Sequence, residues 1–388
     1  MQTETNQISS DSPSKTPLPV DKAERTAPAV VQETFAEFKK LSRCEVGHAR
    51  WDEFAAKSPT AWFWHLYHYA EIWATLPGRE DASFALVDPQ TSELVATVPC
   101  IRINDRMARL FQWNSIDVFG GVAWDPLLPK KKRAAVLEAV SKELKSMAQE
   151  YRAHEVRFSM AVMTPEIRGE ACPRINPLLE LGCANAVEEA WVCDLRNSKD
   201  EIWKNIGKGA KSSIKKAQKN NVQVRVASDQ RDLDAYYRIH CETFQRTGTP
   251  GFPREFFEGV WKYFLSSRLA VIFIAELNGE VIGAANMAVY KKGAHYWTGA
   301  SNDAGLGIGA NALLQWTAIQ WMMENGIEWY EVGRAFPFAK GGKHKQISDF
   351  KKDFGGDLYP YFRGVLDTKT RLAKTLGLLK DFQRAIRE

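Results

Sequence analysis

The chain has 388 residues, and 45% of them are hydrophobic, which is typical of a soluble globular protein with room for two domains. No apolar run is long enough to cross a membrane, and residues 1–34 are polar, without the apolar segment of a signal peptide. The six cysteines form no CxxC pair and no metal-ligand spacing, which excludes a disulfide scaffold and a cysteine-bound metal. We therefore expect a cytoplasmic protein with a disordered tail over residues 1–34 and no metal site.

The net charge of +5 is small, but the positive charge is concentrated in two segments. Residues 196–225 carry nine lysines and arginines against two acids, and residues 334–363 carry seven against three. Such local concentration favours binding of an anionic partner, whereas an even distribution of the same charge would not. The alternative is a pair of solvated basic surfaces with no partner.

Residues 35–194 predict an α/β unit. Its first element is an amphipathic helix over the aromatic-rich stretch 61–76, which ends at Pro77. The later elements, in chain order, are strands 84–87 and 94–103 joined by a turn, a strand that leads into Gly120-Gly121, a helix over 130–151 and a strand over 155–160.

Residues 195–365 predict a second unit with the same order of elements. Asn278-Gly279 between two apolar runs is the strongest short-range indication of a β-hairpin. The elements are strands 271–276 and 281–287, a strand over 294–298, a glycine-rich turn over 301–309, a helix over 310–324 and a strand over 327–332. The repeated order predicts a mixed α/β (α+β) protein of two tandem domains, each with a mixed, mostly antiparallel sheet flanked by helices.

A final amphipathic helix is expected over residues 366–388. Its apolar side chains recur at helical spacing, at Leu372, Leu376, Leu379, Phe382 and Ile386. Such a stripe either packs on the body of the protein or lies on an anionic membrane surface.

The basic segment after Trp203 predicts a helix with a row of ammonium groups. Lys208, Lys211 and Lys215 recur at intervals of three and four residues, so they share one face. Like charges placed in this way repel one another, and a polyanionic ligand would relieve the repulsion. A solvated helix surface explains the pattern equally well.

The glycine-rich turn before the helix over 310–324 is a second candidate for an anion site. Asn302, Gly305 and Gly307 lie between a strand and the start of that helix, where free backbone amides and the helix dipole favour a phosphate. The glycine spacing alone is a weak indication, and the order of strand, turn and helix strengthens it.

The third candidate is the segment after Val332, which we expect to be a loop at the end of a buried strand. It carries Arg334, Lys343 and Lys345 and leads to Phe350-Lys351. An ammonium between Phe350 and Phe354 would be well placed to neutralise an oxyanion or a phosphate. The sequence has no nucleophile elbow, no HExxH and no P-loop. The chemistry that remains is direct attack of a substrate amine on a bound acyl donor, with the protein supplying position and electrostatics.

Four separated segments resemble, in the same order, the FemAB-like family of peptidoglycan-bridge aminoacyltransferases and their GNAT-superfamily relatives. They are WKNIGKGAKSSIKKAQKNNVQV, HCETFQRTGTPGFPREFF, GANALLQWTAIQWMMENGIEWYEVG and DFKKDFGGDLYPY. The first half is similar mainly in the order of its elements. The resemblance implies two GNAT-like domains and transfer of an acyl or aminoacyl group to an amine of a cell-envelope precursor, such as a UDP-sugar peptide or its lipid-linked form.

The resemblance also implies roles for particular residues. Phe350-Lys351 matches the Phe-Lys pair of the family, in which the lysine acts on the acyl donor and its developing charge. Asp117, Glu331 or the substrate itself would accept the proton of the amine. The turn has Asn302 where GNAT phosphate loops begin with Gln or Arg, which weakens the case for a coenzyme A site.

The co-substrate implied is an aminoacyl-tRNA or an acyl-CoA, with no permanently bound cofactor, and we expect a monomer with possible membrane contact only through the helix over 366–388. Two alternatives stay open at this point. One is an acyl-CoA-dependent GNAT N-acyltransferase acting on a polysaccharide, a lipid or a small amine. The other is a non-catalytic binder of polyanions or membrane surfaces.

Overall fold

The computed structural model describes residues 37–107, 111–366 and 368. The strands in chain order are β1 Lys39–Ser42, β2 Arg79–Asp81, β3 Phe84–Val87, β4 Leu94–Val98, β5 Cys100–Met107, β6 Phe111–Phe119, β7 Ala123–Trp124, β8 Glu155–Ser159, β9 Cys183–Asp194, β10 Gln223–Val226, β11 Ala270–Leu277, β12 Glu280–Tyr290, β13 Gly293–Ser301, β14 Trp329–Ala335 and β15 Asp357–Leu366. The α-helices are α1 Arg43–Val46, α2 His48–Lys57, α3 Tyr67–Ala74, α4 Lys130–Glu150, α5 Lys199–Asn205, α6 Lys208–Lys219, α7 Gln230–Thr247, α8 Arg254–Val260, α9 Asp303–Ile308, α10 Ala310–Glu324 and α11 Gly342–Lys352.

In the described part of the chain, eleven strands form one sheet in the order β10-β11-β12-β13-β14-β9-β15-β8-β6-β5-β2, and β1, β3, β4 and β7 form a second, smaller sheet. The large sheet has the same arrangement on both sides of its centre. In the first half β5 pairs antiparallel with β6, and β6 pairs parallel with β8 after the crossover through α4. In the second half β12, β13 and β14 repeat this pattern with α10 in the crossover.

The two halves exchange the strand that follows this unit. β9 continues the chain after β8 but pairs with β14 of the second half, and β15 continues after β14 but pairs with β8 of the first half. β9 and β15 then pair with each other over ten residues at the centre of the sheet. The predicted class, a mixed α/β fold with repeated units flanked by helices, is confirmed. The domain boundary between residues 194 and 195 stays a prediction. The exchange of β9 and β15 joins the two halves closely at that boundary.

Helices cover both faces of the large sheet because strand residues alternate between two cores. Val271 and Phe273 of β11 pack against the side of α6 and α10, and Ile272 and Ile274 pack against the side of α7 and α8. A third core lies under α4 in the first half. The aromatic stretch around Trp62 and Phe63 belongs to the same core as α7 and α8, so a first-half segment completes the packing of the second half.

Local predictions hold where the turn or helix termini are specified by the sequence. Asn278 and Gly279 have positive φ in the β11–β12 hairpin, as the two-residue turn requires. The helix predicted over 310–324 is α10 with the same bounds. Gly326, with φ of 72°, follows it.

Four predicted elements are wrong in extent. The helix expected over 61–76 is a 3-10 turn, Phe63–His65, followed by α3. The strand expected over 94–103 is divided at Pro99 between the two sheets, since proline cannot donate to a ladder. The strand expected to end at Val332 continues to Ala335, and the loop expected after it contains the helix α11.

The predicted helix over 366–388 lies outside the described residues, apart from two positions. Leu366 closes β15, and Thr368 donates a hydrogen bond to the carbonyl of His154 at 3.2 Å. No α-helix in the described ranges combines the length and apolar character needed to cross a membrane.

One lysine links the two halves through backbone carbonyls. Lys291, in the turn between β12 and β13, has a φ of 46° and donates to the carbonyls of Ala55, Ser58 and Ala61 at 2.7, 2.5 and 3.3 Å. Burial lowers the pKa of this ammonium to about 8. The three carbonyls belong to the end of α2 and to the start of the aromatic segment that follows it.

We predict that Lys291→Met lowers the free energy of unfolding by about 1–3 kcal/mol, because the loss of a donor to three buried carbonyls outweighs the relief of burying the charge. The matched control is Lys292→Met in the same turn, where the side chain is 65% exposed and is paired with Glu328 at 2.6 Å. An exposed pair of this kind contributes less than about 1 kcal/mol. Urea denaturation of the two variants measures the difference, and equal effects would contradict the linking role of Lys291.

Candidate functional site

An opening in the sheet lies between β13 and β14. The two strands pair in parallel at only three positions, the last of which joins His295 to Glu331, although both strands continue beyond it. The corresponding strands of the first half, β6 and β8, stay paired over five positions, to Phe119 and Ser159. The halves share a topology, but of the two only the second opens between its parallel strands.

A β-bulge shapes the β14 side of this opening. Glu331 pairs with Val192 of β9 and Arg334 pairs with Ala190, so Val332 is the extra residue. Because Val192 and Ala190 lie on one face of β9, Glu331 and Arg334 point to the same side of the sheet despite being three residues apart. Arg334 Nε lies 2.9 Å from Glu188 Oε2, which Arg363 also contacts at 3.2 Å.

Lys351 reaches this bulge from α11. Its Nζ donates to the carbonyl of Arg334 at 3.2 Å and lies above Gly333, where an added Cβ would come within 2.6 Å of it. Gly333 has a φ of 112°, so both its conformation and its lack of a side chain are needed for this approach. Burial lowers the pKa of Lys351 to about 8, against the opposing effect of the Glu331 carboxylate.

Phe350 does not line the opening with Lys351. It packs against the core under α11 and contacts the Phe354 ring edge-to-face at 5.1 Å between centroids. Phe354 is buried, so the two rings fix the end of α11 to the body of the second half. The aromatics therefore set where Lys351 lies, and the ammonium is not placed between them.

Asp353 joins the end of α11 to the start of the basic helix α6. Its carboxylate accepts a hydrogen bond from the backbone amide of Ala210 at 3.0 Å, and its carbonyl accepts one from Gly207 at 2.7 Å. Gly209 has no room for a side chain, since an added Cβ would lie 2.5 Å from Asp353 Oδ2. The amino terminus of α6 thus already holds a carboxylate from within the chain.

The lysines of α6 point away from its packing surface. Ala210, Ile214 and Ala217 are buried, whereas Lys208 and Lys215 are exposed. Lys211 is half-buried and donates to the carbonyl of Lys204 at 2.9 Å. The predicted row of ammonium groups is therefore present, and it faces solvent.

The glycine-rich turn forms the short helix α9 beside α6. Asn302 Oδ1 accepts from the amide of Gly305 at 2.9 Å, so the asparagine acts as an N-cap. Gly305 packs against the carbonyl of Ile282, where a side chain would not fit, and Gly307 is free of such contacts. Lys216 of α6 donates to the carbonyl of Gly307 at 2.8 Å. The three segments singled out in the sequence thus meet around α6.

The remaining candidates lie further out. Asp117 lies on β6, four strands from β14 or about 19 Å across the sheet. It accepts a hydrogen bond from Arg157 Nε at 2.6 Å, and burial raises its pKa against the effect of that arginine. Lys345 is exposed and pairs with Asp349 at 2.6 Å, and Lys343 lies in the first turn of α11. The structure therefore places Glu331, Arg334 and Lys351 together, and Asp117 apart from them.

Sequence reasoning missed His295 and Asp353. His295 Nδ1 lies 3.0 Å from Glu331 Oε2, and neither spacing nor a motif relates these residues, because the contact crosses two parallel strands. Asp353 could have been found from Gly207 and Gly209, since two glycines so close in a helix start indicate a close approach. Among the described residues, no group of three or more His, Cys, Asp or Glu is arranged for a metal ion.

Comparisons with known proteins show a match to one domain model and a similar fold. The sequence model of the acetyltransferase (GNAT) domain matches residues 205–352, which span α6, the opening and Lys351. The matched segment lies within the second half of the chain. A comparison of the sequence with curated proteins gives no match.

Among solved structures, FemX is similar with a TM-score of 0.62 at 14% identity, over 84% of this chain and 97% of that one. The C-terminal domain of a putative lysylphosphatidylglycerol synthetase from Agrobacterium fabrum is similar with a TM-score of 0.51 at 14% identity, over 84% and 93%. A conserved protein of unknown function from Bacteroides thetaiotaomicron has a TM-score of 0.51 at 11% identity, over 85% and 99%. The expected FemAB-like and GNAT resemblance is confirmed at the level of the fold.

We predict opposite effects on stability for two glycine substitutions in helices. Gly307→Ala should raise the free energy of unfolding by about 0.5–1 kcal/mol, because alanine favours the helix and the site is open. Gly209→Ala should lower it, because the new methyl displaces the Asp353 carboxylate from the amide of Ala210.

Urea denaturation of both variants, alone and in an Asp353→Ala background, separates the two causes. The loss from Gly209→Ala should largely disappear once Asp353 is alanine, since the colliding group is gone. A Gly209→Ala variant that gains as much stability as Gly307→Ala would refute the close contact.

We also predict that Lys351→Met stabilises the protein below pH 8. The pKa of Lys351 is about 8 in the folded chain and about 10.5 when unfolded, so the buried ammonium costs stability wherever both states are protonated. Between pH 8 and about 10.5 the unfolded chain holds more protons than the folded chain, so the free energy of unfolding of the wild type rises with pH. The stability that methionine adds therefore becomes smaller over this range. We expect a gain of about 1 kcal/mol or more at pH 7. Thermal denaturation at pH 7 and pH 10 measures it, with the exposed Lys352→Met as control; a destabilised Lys351→Met would contradict the cause given.

Proposed function

We propose that this chain is an acyl- or aminoacyltransferase that forms an amide on an amine of a cell-envelope precursor. The observation that carries the proposal is the opening between β13 and β14, with the ammonium of Lys351 on the carbonyl of Arg334 at its edge. The described residues there include no serine or cysteine in the arrangement of an activated nucleophile. A direct transfer from donor to amine fits such a site, because it needs only position and a cation near the carbonyl.

The role of Lys351 follows from the charge that develops during the transfer. When the amine attacks the acyl carbon, the carbonyl oxygen becomes an oxyanion, which a fixed ammonium stabilises more strongly in a buried site than in water. Gly333 and the Arg334 carbonyl hold the ammonium in place before the donor arrives. With a pKa of about 8, Lys351 stays charged at neutral pH and loses its charge as the pH rises above 8.

The donor is an anionic acyl carrier, either an aminoacyl-tRNA or an acyl-CoA, and no cofactor is held permanently. The solvent-facing Lys208 and Lys215 with half-buried Lys211 form its phosphate-binding surface, with Arg334, Lys343 and Lys345 as further contacts. Gly305, Gly307 and Asn302 shape the adjoining turn. Asp353, two residues after Lys351, is hydrogen-bonded to the start of α6. The phosphates of the donor on α6 and its reacting carbonyl near Lys351 are therefore bound at a fixed separation.

The acceptor is an amine of an envelope precursor, such as a UDP-sugar peptide or its lipid-linked form. FemX and the lysylphosphatidylglycerol synthetase domain, both similar in fold, support this choice. Part of this proposal is a cytoplasmic, monomeric enzyme that contacts the membrane only peripherally, through residues 366–388. The half-exposed Glu188, Arg334 and Arg363 on the open face of the sheet provide polar contacts for the acceptor.

A second candidate is an acyl-CoA-dependent N-acyltransferase acting on a polysaccharide, a lipid or a small amine. The observation in its favour is the match of residues 205–352 to the acetyltransferase domain model. It differs from the first candidate in the donor. A non-catalytic binder of polyanions would use the same lysines without any transfer.

We predict that amide formation falls about 10²–10³-fold in Lys351→Ala with the fold intact, because one stabilising charge on the oxyanion is lost. The assay offers acetyl-CoA and a set of aminoacyl-tRNAs as donors to a UDP-sugar peptide with a free amine. Lys352→Ala, an exposed lysine next to it on α11, is the matched control and should retain wild-type rates.

The donor that supports turnover distinguishes the candidates. Transfer from aminoacyl-tRNA supports the first, and transfer from acetyl-CoA alone supports the second. Salt-dependent binding of tRNA without transfer from any donor would support the non-catalytic binder. Full activity of Lys351→Ala would contradict the proposed role of Lys351 in stabilising the oxyanion.

A further inference from the structure

His295 and Glu331 form a buried pair at the point where the sheet opens. They are the last partners of the β13–β14 ladder, and His295 Nδ1 lies 3.0 Å from Glu331 Oε2. The Glu331 side chain is 7% exposed and that of His295 is 17% exposed. Burying a carboxylate lowers stability unless a partner compensates its charge, and the imidazole of His295 is placed to do so for Glu331.

The two nitrogens of the His295 ring differ in their surroundings. Among the described residues, Nδ1 is buried without a well-aligned hydrogen bond, whereas Nε2 is neither buried nor hydrogen-bonded to the protein. The edges of Trp62 and Trp64 pack against the ring with centroids 6.4 and 5.2 Å away and limit its rotation. A neutral ring with its proton on Nδ1, the nitrogen nearer the Glu331 carboxylate, has Nε2 as its proton acceptor.

The first half has no equivalent of this pair. Its third ladder position joins Asp117 to Arg157, which form an ion pair at 2.6 Å, and the strands remain closed for two further positions. The titratable imidazole therefore occurs in the half that opens, where a reacting group would have access. Lys351 lies on the β14 side of the same opening.

We propose that His295 is the general base of the transfer and that Glu331 is a positioning residue that holds its ring. The inference rests on the proposed function. The amine nitrogen attacks the acyl carbon and forms the C–N bond, and Lys351 stabilises the oxyanion. His295 Nε2 takes the proton that the nitrogen loses. The C–O or C–S bond to the carrier then breaks, and the proton passes from His295 to the leaving oxygen or sulfur, so the ring returns to its neutral state.

Charged groups of both signs lie near His295. The Glu331 carboxylate on β14 is 3.0 Å from the ring, and Lys351 on α11 and Arg334 on β14 carry positive charge close to that carboxylate. Tyr361 on β15 is neutral at ordinary pH, because burial raises its pKa. The rate should fall as Lys351 loses its proton near pH 8, and a general base in the site adds an acidic limb to the pH profile.

The test measures amide formation by the full chain from acetyl-CoA and from aminoacyl-tRNA to the UDP-sugar peptide, across pH 5–10. His295→Gln should lower the rate about 10²–10⁴-fold and remove the acidic limb of the pH profile, while the alkaline limb remains. Imidazole added to His295→Ala should restore part of the rate. Glu331→Gln should change the acidic limb, and Glu331→Asp should retain more of the rate than Glu331→Gln.

The matched control is His68→Gln. His68 is 20% exposed and its Nδ1 lies 2.7 Å from Glu71, so the pair is similar but lies outside the opening. Its loss should leave the rate and the profile unchanged. Denaturation midpoints of all variants show whether a lost rate reflects unfolding, and His295→Asn replaces His295→Gln if the glutamine variant is unstable.

The outcomes separate this inference from the function on which it rests. A wild-type chain that transfers no acyl group from either donor overturns both. Active wild type with an equally active His295→Gln, or with an acidic limb that persists in that variant, overturns the general base alone. A loss in His295→Gln that imidazole relieves in His295→Ala supports it.

Discussion

The pairing of β9 with β15 is the constraint on which the rest of the structure depends. Ten residues of each strand pair at the centre of the large sheet, and each strand borders the opposite half of the chain. β14 is thereby fixed on one side by a first-half strand, so its other side can part from β13 without unravelling the sheet. β15 also begins just after α11, which holds the end of that helix beside β14. The opening and the lysine that enters it are two results of one exchange of strands.

The same topology has two different outcomes in the two halves. In the first half an ion pair, Asp117 with Arg157, sits in a ladder that stays closed. In the second half a bulge at Val332 turns Glu331 and Arg334 to one face, and Gly333 admits a buried ammonium. A buried charge lowers stability, and the buried ammonium of Lys351 lies at the place where the proposed chemistry needs a cation. The two halves share one strand arrangement, and a few residues in the second half distinguish it from the first.

Predictions from sequence succeeded where the information is local. The hairpin turn at Asn278-Gly279 and the helix of residues 310–324 depend on the conformational preferences of neighbouring residues, so both were found with close bounds. The helix α11 was missed because it has few apolar residues and glycines at its start, and packing of Phe350 and Ser348 against the strands stabilises it. Lys351, Glu331 and Arg334 were all named from the sequence and lie near one another, and their roles stay predictions. The sequence could not show that Asp117 lies four strands away.

The sequence by itself determined the α/β class, the repeated order of elements and the basic face of α6. These follow from periodicity, turn chemistry and charge, which act over a few residues. Only the tertiary structure decided that β9 and β15 change places, that Asp353 occupies the start of α6, and that His295 faces Glu331 where the strands part. Each of these contacts joins residues more than thirty positions apart, and strand register and burial, which no local pattern encodes, set them.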